Sequence, residues 1–432
     1  MMRALPLCLL MLAVCAPTAP GQEEDPQAEM RRQLEEFNKI SRQIQDRVRE
    51  AREKGNRLTE LEALRTLEKE FADKGFMAKQ AIDLQLMGIE IELGGYAKAL
   101  EIADRSGGPR SAGKPPEEAL AGHSPVDALE RIVELADTAQ IVIINEAHHV
   151  PQHRAFTHRL LRALREKGFT YFAAETLSAR DTKLEERGYP VQATGAYTPE
   201  PVYADVVRTA LALGYHAVPY EAVFGSRDRE LDQATNLMKR IFENDPEAKA
   251  LIHVGYAHAH ESGLLAGVSP MAVRLRELTG VDPLTIDQTV MTEHGSPRFD
   301  HATYRYALEK HAFTEPVIFR DTNGKDFAND PALTDLTIFS PRSVYVNGRP
   351  TWLSLGGIRK PWTLPAEARE HGKHALVRAR PASEPAEAIP VDQIELTPGK
   401  DAPALMLPAG SIVIEVVDAA NETLWTSTVE IR

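Results

Sequence analysis

Residues 141–175 read IVIINEAHHVPQHRAFTHRLLRALREKGFTYFAAE. The run IVII (141–144) is a short, wholly apolar strand; Pro151 opens a helix whose apolar residues recur every three or four positions; Gly168 stops it; and YFAA (171–174) is a second strand. This is a βαβ unit. The alternation continues outward, with helices at 202–213, 227–244 and 271–278 leading to strands at 216–220, 250–254 and 284–286. Strands regularly separated by helices predict an α/β fold, a mostly parallel sheet with helices on its faces.

The flanks read differently. Between 26 and 48, Met30, Leu34, Phe37, Ile40, Ile44 and Val48 mark a helix with one apolar stripe, and the pattern resumes at 58–71 and from 81 onward, broken at Gly94-Gly95. The last two helices are weakly tetratricopeptide-like, with Tyr96 and Leu100 expected between them; an ordinary helical hairpin fits the spacing as well. A protein partner at these helices is a candidate interaction. SGGPRSAGKPP (106–116) reads as linker. Past about residue 300, VIFRD, LTIFS, SVYVNG and TWLSL read as short strands, some extending the same sheet, and from about 370 HALVRARP, DQIEL and SIVIEVVDAANETLWTSTVEIR alternate as a small β subdomain. The expected organisation is a signal peptide (1–21), a helical region (22–105), a linker (106–125), the α/β domain (126–365) and the β subdomain (366–432).

Composition narrows the function. With 50 Lys+Arg against 63 Asp+Glu the net charge is −13, which repels nucleic-acid phosphates. An apolar run over 7–14 after Arg3, followed by small residues and Pro, reads as a secretory signal, so an extracytoplasmic protein, periplasmic or secreted, is expected. The only cysteines, Cys8 and Cys15, lie in it, so a mature chain cleaved after Gly21 has no disulfide, thiol nucleophile or zinc-thiolate site. Lipidation at Cys15 is disfavoured by the bulky Val14 before it. No later apolar run is long enough to span a bilayer.

In an open α/β sheet, ligands bind beyond the carboxyl ends of the strands. Here those ends carry Asn145-Glu146-Ala147-His148-His149, Glu175, Glu221 and Gly255-Tyr256-Ala257-His258. Converging carboxylates and imidazoles suit either a divalent metal holding a water or metal-free general acid–base hydrolysis, with His148 as base oriented by Glu146 or Glu175. No P-loop, Gly-x-Ser-x-Gly, His-Glu-x-x-His or Gly-x-Gly-x-x-Gly is present.

The order Asn145-Glu146-Ala147-His148, then Glu175, then Gly255-Tyr256-Ala257-His258 resembles the superfamily of Tiki, TraB/PrgY, ChaN-like haem-binding and erythromycin esterase-like proteins, which carry Gly-Glu-x-His and Gly-x-x-His motifs. The resemblance covers roughly 126–290. Asn145 stands where the family has Gly, and a left-handed turn there would suit Asn. The resemblance implies a hydrolase, metal-dependent, acting on an ester or peptide bond of a small molecule or peptide; its alternative is a haem- or metal-binding protein without catalysis. It assigns Glu146, His148 and Glu175 as catalytic residues and, with His258, as ligands of a divalent metal, haem being the other cofactor. Arg229 and Asn236 fall in a polar helix of the family and are additional candidates, with His149 and Glu221.

Plainer readings stand beside these. Glu221 can cap the following turn, His253 reads as a core histidine, and His153 and His158 read as solvated or capping residues on a helix whose basic run 154–165 reads as a solvated face.

Overall fold

The computed structural model describes residues 26–105, 115–223, 225–370 and 372–432; the expected signal segment and nearly all of the Gly/Pro-rich linker lie outside the described residues. Four helices come first, α1 (Pro26–Lys54), α2 (Arg57–Glu70), α3 (Phe76–Glu92) and α4 (Tyr96–Asp104). The one-turn helix α5 (Pro116–Ala119) and β1 (His123–Asp127) lead through α6 (Ala128–Leu135) to β2 (Ile141–Glu146), α7 (Pro151–Glu166) and β3 (Tyr171–Ala174). There follow α8 (Leu184–Arg187), α9 (Pro201–Ala212), β4 (His216–Pro219), α10 (Arg229–Leu237), β5 (Ala250–Gly255), α11 (Met271–Thr279) and β6 (Leu284–Asp287). Then come α12 (Ala302–Lys310), β7 (Val317–Asp321) and β8 (Leu336–Thr337).

Six of these strands form one parallel sheet in the order β4-β3-β5-β2-β6-β8. Its strands are apolar at consecutive positions because both faces are covered. Val142, Ile144, Phe172, Ala174 and Leu251 pack in one core with Phe156, Leu160 and Leu164 of α7 and Tyr203, Val206 and Val207 of α9. Ile141, Ile143, Ala173, Ile252 and Val254 pack on the opposite face with Ala234 and Leu237 of α10 and Met271, Ala272 and Leu275 of α11. The chain therefore crosses from β2 to β4 on one face and returns through β5 to β6 on the other. Glu146 follows the parity of Val142 and Ile144 and Asn145 that of Ile141 and Ile143, so these two neighbours emerge on different faces.

Beyond the sheet lie the hairpin β9 (Tyr345–Val346) and β10 (Arg349–Pro350), and β11 (Arg359–Trp362) paired with β14 (Leu405–Pro408). Helix α13 (Ala366–Arg369) precedes β12 (Ala375–Pro381), β13 (Asp392–Leu396), β15 (Gly410–Asp418) and β16 (Thr423–Ile431), an antiparallel sheet in the order β13-β12-β15-β16. Leu376 and Val417 of that sheet share a core with Phe37, Ile44, Val48, Leu58 and Leu86, so α1 is covered from within the chain at Phe37, Ile44 and Val48. Among the described residues no helix is long and apolar enough to cross a membrane.

Several expectations change. Tyr96 shares a cluster with Ile91 and Ala99 of the two helices, as expected, and also reaches beyond them, edge-on against Trp352 with centroids 5.0 Å apart and beside Leu353, Leu355 and Val202. VIFRD pairs antiparallel with β1, whose first three residues fall in the segment read as linker, while TWLSL forms a 3₁₀ turn over Thr351–Ser354. The helix expected over 227–244 begins at Arg229 and passes into a π turn, Met238–Phe242. His153, Arg154 and His158 are buried: the helix between two strands is covered on more than its apolar stripe, and these polar side chains find partners inside.

Ile143 is fully buried in the central strand. Replacing it with Ala should cost about 2–5 kcal/mol through lost transfer energy and a residual cavity. Urea denaturation of the variant checks this; a loss below about 1 kcal/mol would place Ile143 outside a packed core.

Candidate active site

Strand β2 delivers Glu146 to the sheet's carboxyl edge, and the turn after it is fixed by Val150 N–H donating to Ala147 O (2.8 Å) and Ala147 N–H donating to His153 Nδ1 (3.1 Å). His148 then folds back so that its Nδ1 lies 2.8 Å from Glu146 Oε1. Arg154, one helical turn into α7, donates from Nε to Glu146 Oε2 (2.7 Å) and from Nη2 to both Glu146 Oε1 (2.9 Å) and the His148 carbonyl (2.8 Å). Its Nη1 reaches Glu200 Oε2 at 3.1 Å. Burial pushes the Glu146 carboxyl up, but the Arg154 charge, the His148 hydrogen bond and the nearby His253 outweigh it and hold the group well below the usual carboxylate range. An ionised carboxylate only accepts, so His148 Nδ1 carries a proton, and in the neutral form of the ring the lone pair is at Nε2. Tyr197 stacks on one face of the imidazole (4.1 Å, 18°) and Tyr256 meets it edge-on (5.1 Å, 86°).

A second cluster forms around Arg229, the first residue of α10. It donates from Nη2 to Glu175 Oε1 (2.7 Å) and to Glu221 Oε2, from Nε to Glu221 Oε1 (2.9 Å), and from Nη1 to His258 Nε2 (2.8 Å). A guanidinium only donates, so His258 accepts at Nε2 and gives its Nδ1 proton to Glu230 Oε2 at 2.7 Å. Burial raises the Glu175 carboxyl, but His258, His148 and Arg229 together bring it down to about 2. Its other oxygen accepts from Gly255 N–H at 2.6 Å.

Gly255 joins the clusters. A Cβ there would lie 2.6 Å from His148 Nε2 and 2.9 Å from Glu175 Oε2, so only glycine lets the two side chains meet over the end of β5. The next residue, Tyr256, takes a left-handed φ of 44°. Asn145 fastens that turn by donating to Tyr256 O (3.0 Å) and to Asp287 at the end of β6 (2.8 Å), and it accepts from Gln288 N–H (2.7 Å). Asn145 is thus the penultimate residue of an extended strand, not a left-handed turn as its place in the motif suggested; its side chain cross-links three strand ends.

The structure brings Glu146, His148, Glu175, His258, Glu221 and Arg229 together. His149 sits at the margin, with Nδ1 3.3 Å from the Tyr256 hydroxyl, and Asn236 donates to the carbonyls of Tyr220 (3.0 Å) and Glu221 (3.3 Å), holding the end of β4. Sequence reasoning missed Arg154, Tyr197, Glu200, Glu230 and Asp287. Asp287 was findable, since it too follows a parallel strand. Arg154 was hidden in a basic run, and Tyr197 and Glu200 lie in a loop without periodicity.

Among the described residues, no group of three or more His, Cys, Asp or Glu side chains is arranged to hold a metal ion. The reason is visible in the four expected ligands. Arg154 holds both oxygens of Glu146, Arg229 and Gly255 hold those of Glu175, and Arg229 takes the His258 lone pair. That leaves His148 Nε2, and the donor set as arranged does not fit a divalent metal. The same engagement leaves His258 no lone pair for a haem iron.

No family model matches the chain, and no curated protein matches it. Solved structures that share a weak likeness include the following three. Two are described as bacterial protein toxins: one has 16% identity over 53% of this chain and 52% of that one at TM-score 0.29, the other 13% over 60% and 63% at 0.28. The third is the signal recognition particle receptor FtsY from Elizabethkingia anophelis, with 12% identity over 67% and 81% at 0.23. The chain thus spans between half and two thirds of the length of the first two, and scores this low carry no argument about fold or function.

Burial drives His153 down to about 3 and His158 and His253 to about 4, from an ordinary 6.5. These rings stay neutral in the folded chain and take up protons only on unfolding, so stability is full above about pH 6.5 and falls as pH drops toward 4. Glu175, depressed to about 2 from 4.5, adds a further loss between those values. Urea midpoints should fall steadily from pH 7 to 4.5, and His158→Gln, whose ring bonds Thr209 rather than a crevice residue, should flatten the decline; an unchanged slope in that variant would contradict the assignment.

Proposed function

We propose that the chain is a hydrolase of ester or amide bonds, acting outside the cytoplasm, with His148 as general base. The observation that carries this reading is the state of the His148 ring: Nδ1–H is fixed on Glu146, which Arg154 holds at both oxygens, while a fifth of the side chain remains open and Nε2 is free to accept. That is a preorganised base whose conjugate acid is met by a standing carboxylate.

In the proposed step, water gives a proton to His148 Nε2 as its oxygen bonds to the substrate carbonyl carbon. The tetrahedral intermediate then collapses: the bond to the leaving oxygen or nitrogen breaks, and that atom takes the proton back from Nε2. Acid and alcohol, or acid and amine, leave, and the base is regenerated. Glu146 balances the transient imidazolium directly, and Glu175 does so from across Gly255. The erythromycin esterase-like branch of the resemblance fits this arrangement better than the metal-dependent branch, because Arg229 stands among the carboxylates where a metal would bind.

A panel of chromogenic esters and peptide amides tests the proposal. His148→Ala should lower turnover by about two to four orders of magnitude while the chain stays folded. Wild-type turnover should survive dialysis against a chelator. Activity abolished by the chelator and restored by one divalent cation would overturn the metal-free mechanism, and unchanged turnover in His148→Ala would overturn the base.

A further inference from the structure

Glu200, which nothing in the sequence motifs singles out, is buried at the start of α9. Its Oε1 accepts from Val202 N–H (2.9 Å) and its Oε2 from Tyr203 N–H (2.9 Å), satisfying two of the helix's unpaired donors. A shorter Ser, Asp or Asn does that work in most helices. The longer side chain brings Oε2 to Arg154 Nη1 as well, at 3.1 Å.

From that position Glu200 reaches the His148 imidazole by two routes. Along its edge, Glu200 holds Arg154, Arg154 holds both oxygens of Glu146 and the His148 carbonyl, and Glu146 holds His148 Nδ1. Along its face, Glu200 N–H donates to Tyr197 O at 3.2 Å, closing the turn whose tyrosine ring stacks on the imidazole. The neighbouring Val202 is locked in a cluster with Ile91, Tyr96 and Ala99 of the N-terminal helices, Leu353 and Leu355 after the hairpin, and Met406 of β14. The anchor of both routes is therefore seated by three parts of the chain.

We propose that Glu200 is a positioning residue for the His148 base, orienting it through Arg154 and through the Tyr197 stack. The inference rests on the reading of His148 as base, and it gives the flanking regions a part in catalysis: they fix the residue that aims the imidazole. A helix cap alone would not need the reach to Arg154, whose guanidinium lies between the two carboxylates; burial raises the Glu200 carboxyl above its ordinary range, and Arg154 with the Val202 and Tyr203 N–H groups opposes that rise.

The test uses the full chain and two readouts. The first is the proton resonance of His148 Nδ1–H, identified by its disappearance in His148→Asn, which reports the hydrogen bond to Glu146 without any substrate. The second is hydrolysis of a p-nitrophenyl ester. Glu200→Gln keeps an acceptor for the helix but removes the charge that faces Arg154. Thr209→Val, which breaks the bond from the middle of α9 to His158, is the control for a loosened helix. In Glu200→Gln the resonance should shift or broaden away and kcat should drop at least about tenfold with KM changed less than about twofold, as for a loss of transition-state interaction alone. Thr209→Val should retain both. If Glu200→Gln leaves the resonance where it is in the wild type, or if Thr209→Val disturbs it equally, Glu200 is only a helix cap. Absence of any His148-dependent hydrolysis would count against the proposed function, while the resonance would still decide the role of Glu200.

Discussion

A guanidinium shut off from solvent stays charged and must be paired, and Arg154 has no exposure at all. Its partners are fixed by that need: Glu146 at the end of β2, Glu200 at the start of α9, and the His148 carbonyl between them. The guanidinium also lies over the Tyr203 ring, 4.8 Å from its centroid. The carboxylates are costly to bury alone and the cation likewise, so the group stands or falls together. Everything the crevice offers to a ligand from β2 follows from it: the ionised Glu146, the proton on Nδ1 of His148, and the lone pair on Nε2.

Arg229 does the same on the other side of Gly255, with Glu175 and Glu221. The two clusters are built alike, a guanidinium among strand-end carboxylates with a histidine attached, but they end differently. In the first the histidine keeps a free nitrogen, and in the second both ring nitrogens are used, one by Arg229 and one by Glu230. His258 consequently acts as part of the wall. Gly255 is where the walls touch, and the left-handed Tyr256 beside it is a backbone state costing about 1–3 kcal/mol, the kind of strain that persists only where the surroundings over-determine it. Asn145 supplies that constraint with its side-chain amide.

Much of this was legible in the residues themselves. The six-stranded sheet follows from apolar runs separated by helices, and the rule that ligands meet the carboxyl ends of such strands was enough to gather Glu146, His148, Glu175, Glu221 and His258 in one place. What could not be read was how their charges are settled. Arg154 and Arg165 look identical in a helix that alternates basic and apolar residues, yet one is buried among carboxylates and the other bonds the Leu213 carbonyl; the difference lies in which strand ends stand opposite, a property of the fold. The burial of His153 and His158 is hidden from the sequence for the same reason. The motif places glycine where Asn145 stands, which points to a turn, whereas the parallel ladder continues through Asn145 to Glu146. A metal of the kind that the mix of carboxylates and imidazoles suggests would have to compete with Arg229, which approaches the same lone pairs a cation would use.

If Arg154 is the constraint on which the crevice rests, its stability effects must depend on its partners. The direct measurement is a mutant cycle by chemical denaturation on Arg154→Met, the pair Glu146→Gln with Glu200→Gln, and all three together. Arg154→Met alone strands two buried carboxylates and should cost about 3–5 kcal/mol. Added to the paired glutamines it should cost far less, leaving a coupling of about 2 kcal/mol or more. Additive losses, with Arg154→Met equally damaging whether or not the glutamates are charged, would contradict the account.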